Sequence, residues 1–262
     1  MVKKIGHCIK ELIKTFQEHQ LINKLIQKNN IGSDKVYDNK NGMIQYLPDV
    51  KKDLIQKEIL KSGDYYEKIY LNSIKKNFST NMAQGITLDV GANIGNHSIY
   101  FIKECEAEQV VAFEPILRTY NILCRNIEVN HLNSKIKPLN FGIGKANTRA
   151  AVGGSNRNNS GSTWLKEDNN GEIVIKTIDE FEFENVSFIK IDTEGFEYDV
   201  LLGGYKTIEK FKPIIWIEIQ LKNFDKVNNL LLKLGYSSPT GLIKAQPDFN
   251  EISNYLYVAN RE

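Results

Sequence analysis

From residue 86 onward, short apolar runs alternate with stretches of helical periodicity. Ile86-Thr87-Leu88-Asp89-Val90 reads as a short buried strand that stops at Gly91-Ala92-Asn93-Ile94-Gly95, and residues 96–104 then carry a helical pattern. Residues 109–113 form the next apolar run, closed by Glu114-Pro115, before a helix over 116–130 and a third strand over 135–141. The rhythm resumes with strands at 186–191 and 213–219, helices at 198–210 and 224–234, and a last strand at 255–259. Such alternation predicts an α/β fold with helices on both faces of a mainly parallel sheet.

Two regions break the rhythm. Over about 147–178, the Asn/Gly/Ser tract GGSNRNNSGS and the turn Asp168-Asn169-Asn170-Gly171 lie between short strands near 149–152 and 172–176. This predicts a β-rich insertion at the carboxyl end of the sheet, where loops carry specificity. Before residue 64, Ile5, Cys8, Ile9, Leu12, Ile13 and Phe16 share one helical face, and Leu21, Ile22, Leu25 and Ile26 resume the stripe. Residues 28–41 read as a polar linker, followed by a helical region over about 49–77. The expected organisation is an N-terminal helical extension, 1–63, and a catalytic domain, 64–262.

Charge sharpens this division. Residues 1–85 hold 15 lysines against nine acids, and the remainder 19 basic against 23 acidic residues. Lys3, Lys4, Lys10 and Lys14 accompany the first stripe, so the N-terminal helices suit docking on the body, self-association or the inner face of a membrane. A net charge of +2 makes nucleic acid an unpromising partner. No apolar stretch reaches the ~18 residues of a spanning helix. Charges interrupt the start MVKKIGHCIKELIK, so the expected location is cytoplasmic. Cys8, Cys105 and Cys124 form no CxxC pair, and His7, His19 and His131 show no ligand spacing; no metal is expected.

The candidate chemistry sits at strand ends. Gly91 and Gly95 permit close backbone approach, and the following helix offers free N–H groups. Asp89 adds a carboxylate, a combination suited to an amino-acid moiety and ill suited to pyrophosphate. Asn93 stands where the second glycine of GxGxxG belongs, which argues against a nicotinamide dinucleotide. Glu114 ends the second strand, where an acid accepts the hydroxyls of a ribose diol. These two strand ends predict a nucleoside cofactor at the carboxyl edge of the sheet.

The blocks LDVGANIGNHSIYF, VVAFEP, FIKIDTEGFEYDVLLGG and KPIIWIEI resemble the FkbM-type methyltransferase family, over approximately residues 64–259. The resemblance implies an S-adenosylmethionine-dependent class I methyltransferase with a Rossmann-like, mixed seven-stranded sheet. It implies O-methylation of a sugar or natural-product hydroxyl, so the expected acceptor is a glycan, glycolipid or similar molecule. Asp89, Gly91, Asn93, Gly95 and Glu114 become the expected S-adenosyl-L-methionine contacts. The block Asp192-Thr193-Glu194-Gly195 corresponds to the family's element beside the transfer site.

A sugar hydroxyl is a weak nucleophile, so a positioned base contributes about 10²–10⁴-fold. Asp192 is the leading candidate and Glu194 the second. One of them serving as a helix cap is the competing role. His97, Asn159, Ser160 and Glu218 are expected acceptor contacts; Trp164 offers an aromatic face on which a sugar could stack, whereas core packing is the expected role of Trp216. The alternatives are a nucleic-acid or small-metabolite methyltransferase, and a non-catalytic cofactor-binding module that recruits a partner through its N-terminal helices.

Overall fold

The computed structural model describes residues 14, 17–18, 20–29, 35–38, 43–156, 159–239 and 252–260. The stripe from Ile5 to Phe16 lies outside them. The chain runs α1 (20–29), β1 (Val36–Asp38), β2 (Ile44–Tyr46), α2 (Leu54–Ser62), α3 (Lys68–Met82), β3 (Ile86–Val90), α4 (Asn96–Lys103), β4 (Gln109–Phe113), α5 (Leu117–Val129) and β5 (Ile136–Leu139). It continues through β6 (Gly142–Ile143), β7 (Thr148–Asn156), β8 (Asn159–Glu167), β9 (Ile173–Lys176) and β10 (Val186–Ile191). The remaining elements are α6 (Glu197–Gly203), α7 (Tyr205–Phe211), β11 (Ile214–Gln220), α8 (Phe224–Lys233) and β12 (Ile252–Tyr257).

The main sheet has the order β12-β11-β10-β3-β4-β5, parallel except for β12, which runs antiparallel to β11. Strand alternation divides the core in two. Val110, Ala112, Phe188 and Trp216 face the cluster built with α3, α4 and α5. Val111, Phe113, Ile189 and Ile217 face the cluster built with α6, α7 and α8. Helices therefore cover both faces, and the central strands are apolar on both sides. From β3 the chain first builds outward through β4 to β5, then crosses to β10 on the other flank of β3. That reversal opens a crevice at the carboxyl ends of β3 and β10.

Several sequence expectations are corrected. The described residues supply six strands to this sheet instead of seven; beside β12, one isolated bridge joins Tyr236 to Ala259, and Ser237-Ser238-Pro239 carry no strand. The helical region expected over about 49–77 is two helices, because Gly63 ends α2 in the left-handed region at φ 65°. Asp53 opens α2, its side chain accepting from the Gln56 N–H at 2.9 Å. The helix expected over 198–210 likewise breaks at Gly203-Gly204.

The N-terminal region is not helical throughout: β1 and β2 pair antiparallel within and after the expected linker. Ile22, Tyr37, Leu47, Val50, Ile55 and Ile59 form a third cluster, closed by Ile94 and Ile122 of the α/β body. Among the described residues no helix is long and apolar enough to cross a membrane.

The Asn/Gly/Ser tract is a long hairpin, β7 with β8, within a four-stranded sheet ordered β6-β9-β7-β8. Its glycines make room instead of breaking the strand. A Cβ on Gly153 would stand 2.1 Å from the Trp164 ring, and one on Gly154 2.6 Å from it. Trp164 lies on this bed, 45% exposed.

Candidate functional site

Two loops meet at the crevice. The turn after β3 and the turn after β10 touch through their backbones: the Asp192 N–H donates to the Val90 carbonyl at 3.0 Å. Gly91, at φ +81°, lies so near that a Cβ there would sit 1.8 Å from the Asp192 carbonyl oxygen. The loop approach itself demands glycine at 91. Gly95, at φ +89°, has a different duty, because its missing Cβ makes room for Leu123 of α5.

Glu114 clamps the first turn. Its Oε2 accepts from the Asn93 N–H at 3.0 Å and its Oε1 from the Ile116 N–H at 2.9 Å. Burial pushes its carboxyl up to about 7, against the pull of these two backbone bonds. Asn93 holds φ 50°, a conformation asparagine tolerates, and its Oδ1 accepts from the Ile94 N–H.

Gly91, Asn93 and Glu114 border one cleft with Asp192, Thr193 and Glu194. Ile116, Phe141, Ile143 and Leu165 give it an apolar wall, and Gly161 and Thr163 extend the β8 edge over it. Asp89 stands behind this cleft. It is wholly buried, with Oδ2 accepting from Ser98 Oγ at 2.6 Å and Oδ1 3.8 Å from Lys190 Nζ.

The second loop carries the acids. Glu194 adopts φ 53°, a costly conformation for a non-glycine residue, and burial followed by the Asp192 charge pushes its carboxyl up to about 7. The capping role belongs to neither Asp192 nor Glu194. No side chain caps α6; Glu197 at its start reaches back into the loop, its Oε1 accepting from the Gly195 N–H at 2.6 Å and from Thr193 Oγ1 at 3.3 Å. Asp192 meets Lys190 Nζ through Oδ2 at 3.1 Å.

Glu218, on β11, joins this loop. One carboxylate oxygen each from Asp192, Glu194 and Glu218 lies within 4.8 Å of the others, a spacing that could hold a cation. Burial, then Asp192, Glu67 and Glu194, push Glu218 up to about 9, while Lys190 pulls the other way. Its Oε2 accepts from Asn254 Nδ2 at 3.2 Å.

That displacement makes a stability prediction. The folded state holds Glu218's proton far above the ordinary carboxylate value of 4.5, so it binds more protons than the unfolded chain between pH 4.5 and about 9. The stabilisation is complete below that window and is lost as pH rises through it. Melting curves at pH 6 and pH 9 are expected to show Glu218→Gln losing less stability than the parent. At pH 9 the variant melts a few degrees higher, about 2–4 °C per kcal/mol recovered. Identical slopes with pH would remove the proton from Glu218.

His97 is buried in α4, stacked edge-on to Trp216 at 5.2 Å, with Nε2 3.1 Å from Glu67 Oε2. Asn159 is spent on its own turn: Oδ1 accepts from the Gly161 N–H and its carbonyl from Ser162 Oγ. Ser160 lies in β8, and its side chain is outside the described set. Trp216 is core, its Nε1 donating to Asn254 Oδ1 at 2.7 Å. Trp164 lies on the face of β8 opposite Thr163 and Leu165, away from the cleft.

The sequence reading missed Tyr66, Glu67 and Lys190. Asn96 fastens the first two in place, accepting from the Tyr66 N–H at 2.9 Å and donating to the Tyr66 carbonyl at 3.1 Å. Glu67 stands at φ 58° just before α3. The left-handed positions of Glu67, Asn93 and Glu194 were legible only at asparagine, since glutamate gives no such signal.

A doubly wound sheet with paired acid-bearing turns at its switch point defines a Rossmann-like architecture, of the kind methyltransferases use. The chain belongs to the Methyltransferase FkbM domain family, which matches residues 89–238. It is similar to the crystal structure of Methyltransferase FkbM from Methylobacillus flagellatus KT, with a TM-score of 0.50 and 18% identity over 95% of this chain and 60% of that one. Methyltransferase 1 of Beauveria bassiana (strain ARSEF 2860) is 24% identical over 142 residues, covering 44% of this chain and 57% of that protein. Methyltransferase sdnD of Sordaria araneosa is 38% identical over 56 residues, 21% of this chain and 22% of that protein. The chain thus spans less than two thirds of each of these relatives.

Proposed function

We propose that this protein is an S-adenosylmethionine-dependent O-methyltransferase acting on a hydroxyl of a carbohydrate, glycolipid or natural product. The observation that carries the reading is one cleft lined by Glu114 together with Asp192 and Glu194. The cleft's chemistry fits the donor. Ile116, Phe141 and Leu165 suit a flat base, and Glu114 retains lone pairs for a ribose diol after accepting its two backbone bonds. The turn at Gly91 and Asn93 would hold the amino-acid end. Asp89 supports that turn from behind through Ser98.

Bound there, the donor would supply an electrophilic methyl carbon to the acceptor oxygen, with the bonding pair left on the departing sulfur. Asp192 takes the hydroxyl proton, so the oxygen ends as a neutral ether. Glu218 holds its proton near neutral pH and donates a hydrogen bond that orients the acceptor, with Glu194 beside it. Lining up the reacting atoms is itself worth about 7–11 kcal/mol in favourable cases.

Mass spectrometry tests the reaction: candidate glycans and hydroxylated natural products incubated with the protein and S-adenosylmethionine should gain a single methyl, located on oxygen by fragmentation. Methyl gain on nitrogen or carbon alone would overturn the O-methylation. Glu114→Ala tests the donor site independently. Loss of a buried acceptor costs about 1–3 kcal/mol, so calorimetry should show affinity for S-adenosylhomocysteine falling by roughly one to two decades. Unchanged affinity would move the ribose elsewhere.

A further inference from the structure

Lys190 is the one buried lysine or arginine among the described residues, and the reaction above gives it no task. It faces Asp89 of β3 and Trp216 of β11 in the strand register. Its ammonium lies 3.1 Å from Asp192 Oδ2 and 3.8 Å from Asp89 Oδ1. Glu67 before α3, Glu114 at the end of β4 and Glu218 on β11 also feel this charge. Burial alone would favour the neutral amine, yet Asp192, Asp89 and Glu67 overcome it and raise the lysine's pKa. One cation therefore stands among five carboxyl groups from separate parts of the chain, one hydrogen bond behind the cleft wall.

We propose that Lys190 is a specificity-determining residue that sets how strongly the cleft prefers the positively charged methyl donor over its neutral, demethylated product. The inference rests on the donor reading given above. Carboxylates attract a sulfonium, and that attraction vanishes from sulfur when the methyl leaves. An uncompensated acid cluster would therefore hold the ground state too tightly and gain nothing for transfer. Lys190 opposes that field across a buried, weakly screened distance. Asp89, its neighbour outside the cleft wall, is the counterweight.

Calorimetry of the full chain with S-adenosylmethionine and S-adenosylhomocysteine tests this without an acceptor. Lys190→Met should raise the ratio of donor to product affinity about tenfold, equivalent to about 1.4 kcal/mol. Asp89→Asn should lower the ratio, and the double variant, which restores the charge sum, should return it towards the parent value. Lys190→Arg keeps the charge and should leave the ratio near that of the parent. A purely structural lysine would weaken both ligands alike, so an unmoved ratio, or one moving the same way in Lys190→Met and Asp89→Asn, overturns the inference. Should Lys190→Met fail to fold, Lys190→Gln, which keeps a hydrogen bond for Asp192 and loses the charge, should raise the ratio in the same way, and an unmoved ratio there overturns the inference. A parent protein that binds neither compound defeats the donor reading itself, and this inference with it.

Discussion

Replacing Asp192 with asparagine is expected to slow methyl transfer by about 10²–10⁴-fold while calorimetric affinity for the donor is largely preserved. The residue borders the cleft, yet its backbone is held by the Val90 carbonyl and its side chain by Lys190 through Oδ2. Asparagine keeps the shape and an oxygen for Lys190, and loses the capacity to receive the acceptor's proton. The rival is Glu194, whose carboxyl, pushed to about 7, also falls in the range of a working base. The pH dependence of kcat separates them: a Glu194 base would give a rising limb near pH 7 that disappears in Glu194→Gln. Transfer in Asp192→Asn within a few-fold of the parent would remove Asp192 from that role.

Gly91→Ala should cost about 3 kcal/mol or more, because the new methyl collides with backbone and the residue must also hold φ +81°. Thermal unfolding is then expected about 6–12 °C lower, with donor binding lost because the two loops can no longer touch. Two other glycines separate the causes. At Gly195, φ +114°, an added Cβ finds only Gln220 Nε2 at 3.8 Å, so Gly195→Ala reports backbone conformation alone. At Gly95 the Cβ meets the tip of Leu123, a side chain that can turn aside. Gly91→Ala should be the most damaging of the three; a loss no greater than that of Gly195→Ala would show that the loop contact yields.

Strand positions were legible because the central strands are buried on both faces and so read as continuous apolar runs: 86–90, 109–113 and 186–191 coincide with β3, β4 and β10. The acids at their ends followed directly, since a carboxylate closing such a run has few structural reasons to be there. Lys190 sits inside one of those runs, and only the register against Asp89, about a hundred residues earlier, reveals its partner. Glu67 and Tyr66 came into the site because α2 and α3 are separate helices, a break signalled by Gly63 but hidden by apolar periodicity on both sides. Glu197 was overlooked for the opposite reason: in Asp-Thr-Glu-Gly-Phe-Glu three acids crowd one turn, and only its geometry shows which of them folds back onto the Gly195 N–H. The tract at 153–162 misled because glycine and asparagine usually punctuate strands, whereas here the absent side chains accommodate an indole.

The β7–β8 hairpin belongs to its own small sheet and reaches the cleft with alternate residues of one strand only, Gly161, Thr163 and Leu165. Its outward residues answer to different constraints from its inward ones. Exchanges among the outward residues should therefore leave the cleft's outline alone, whereas changes at Gly161, Thr163 and Leu165 reshape it directly, so one strand can diversify on its two faces independently.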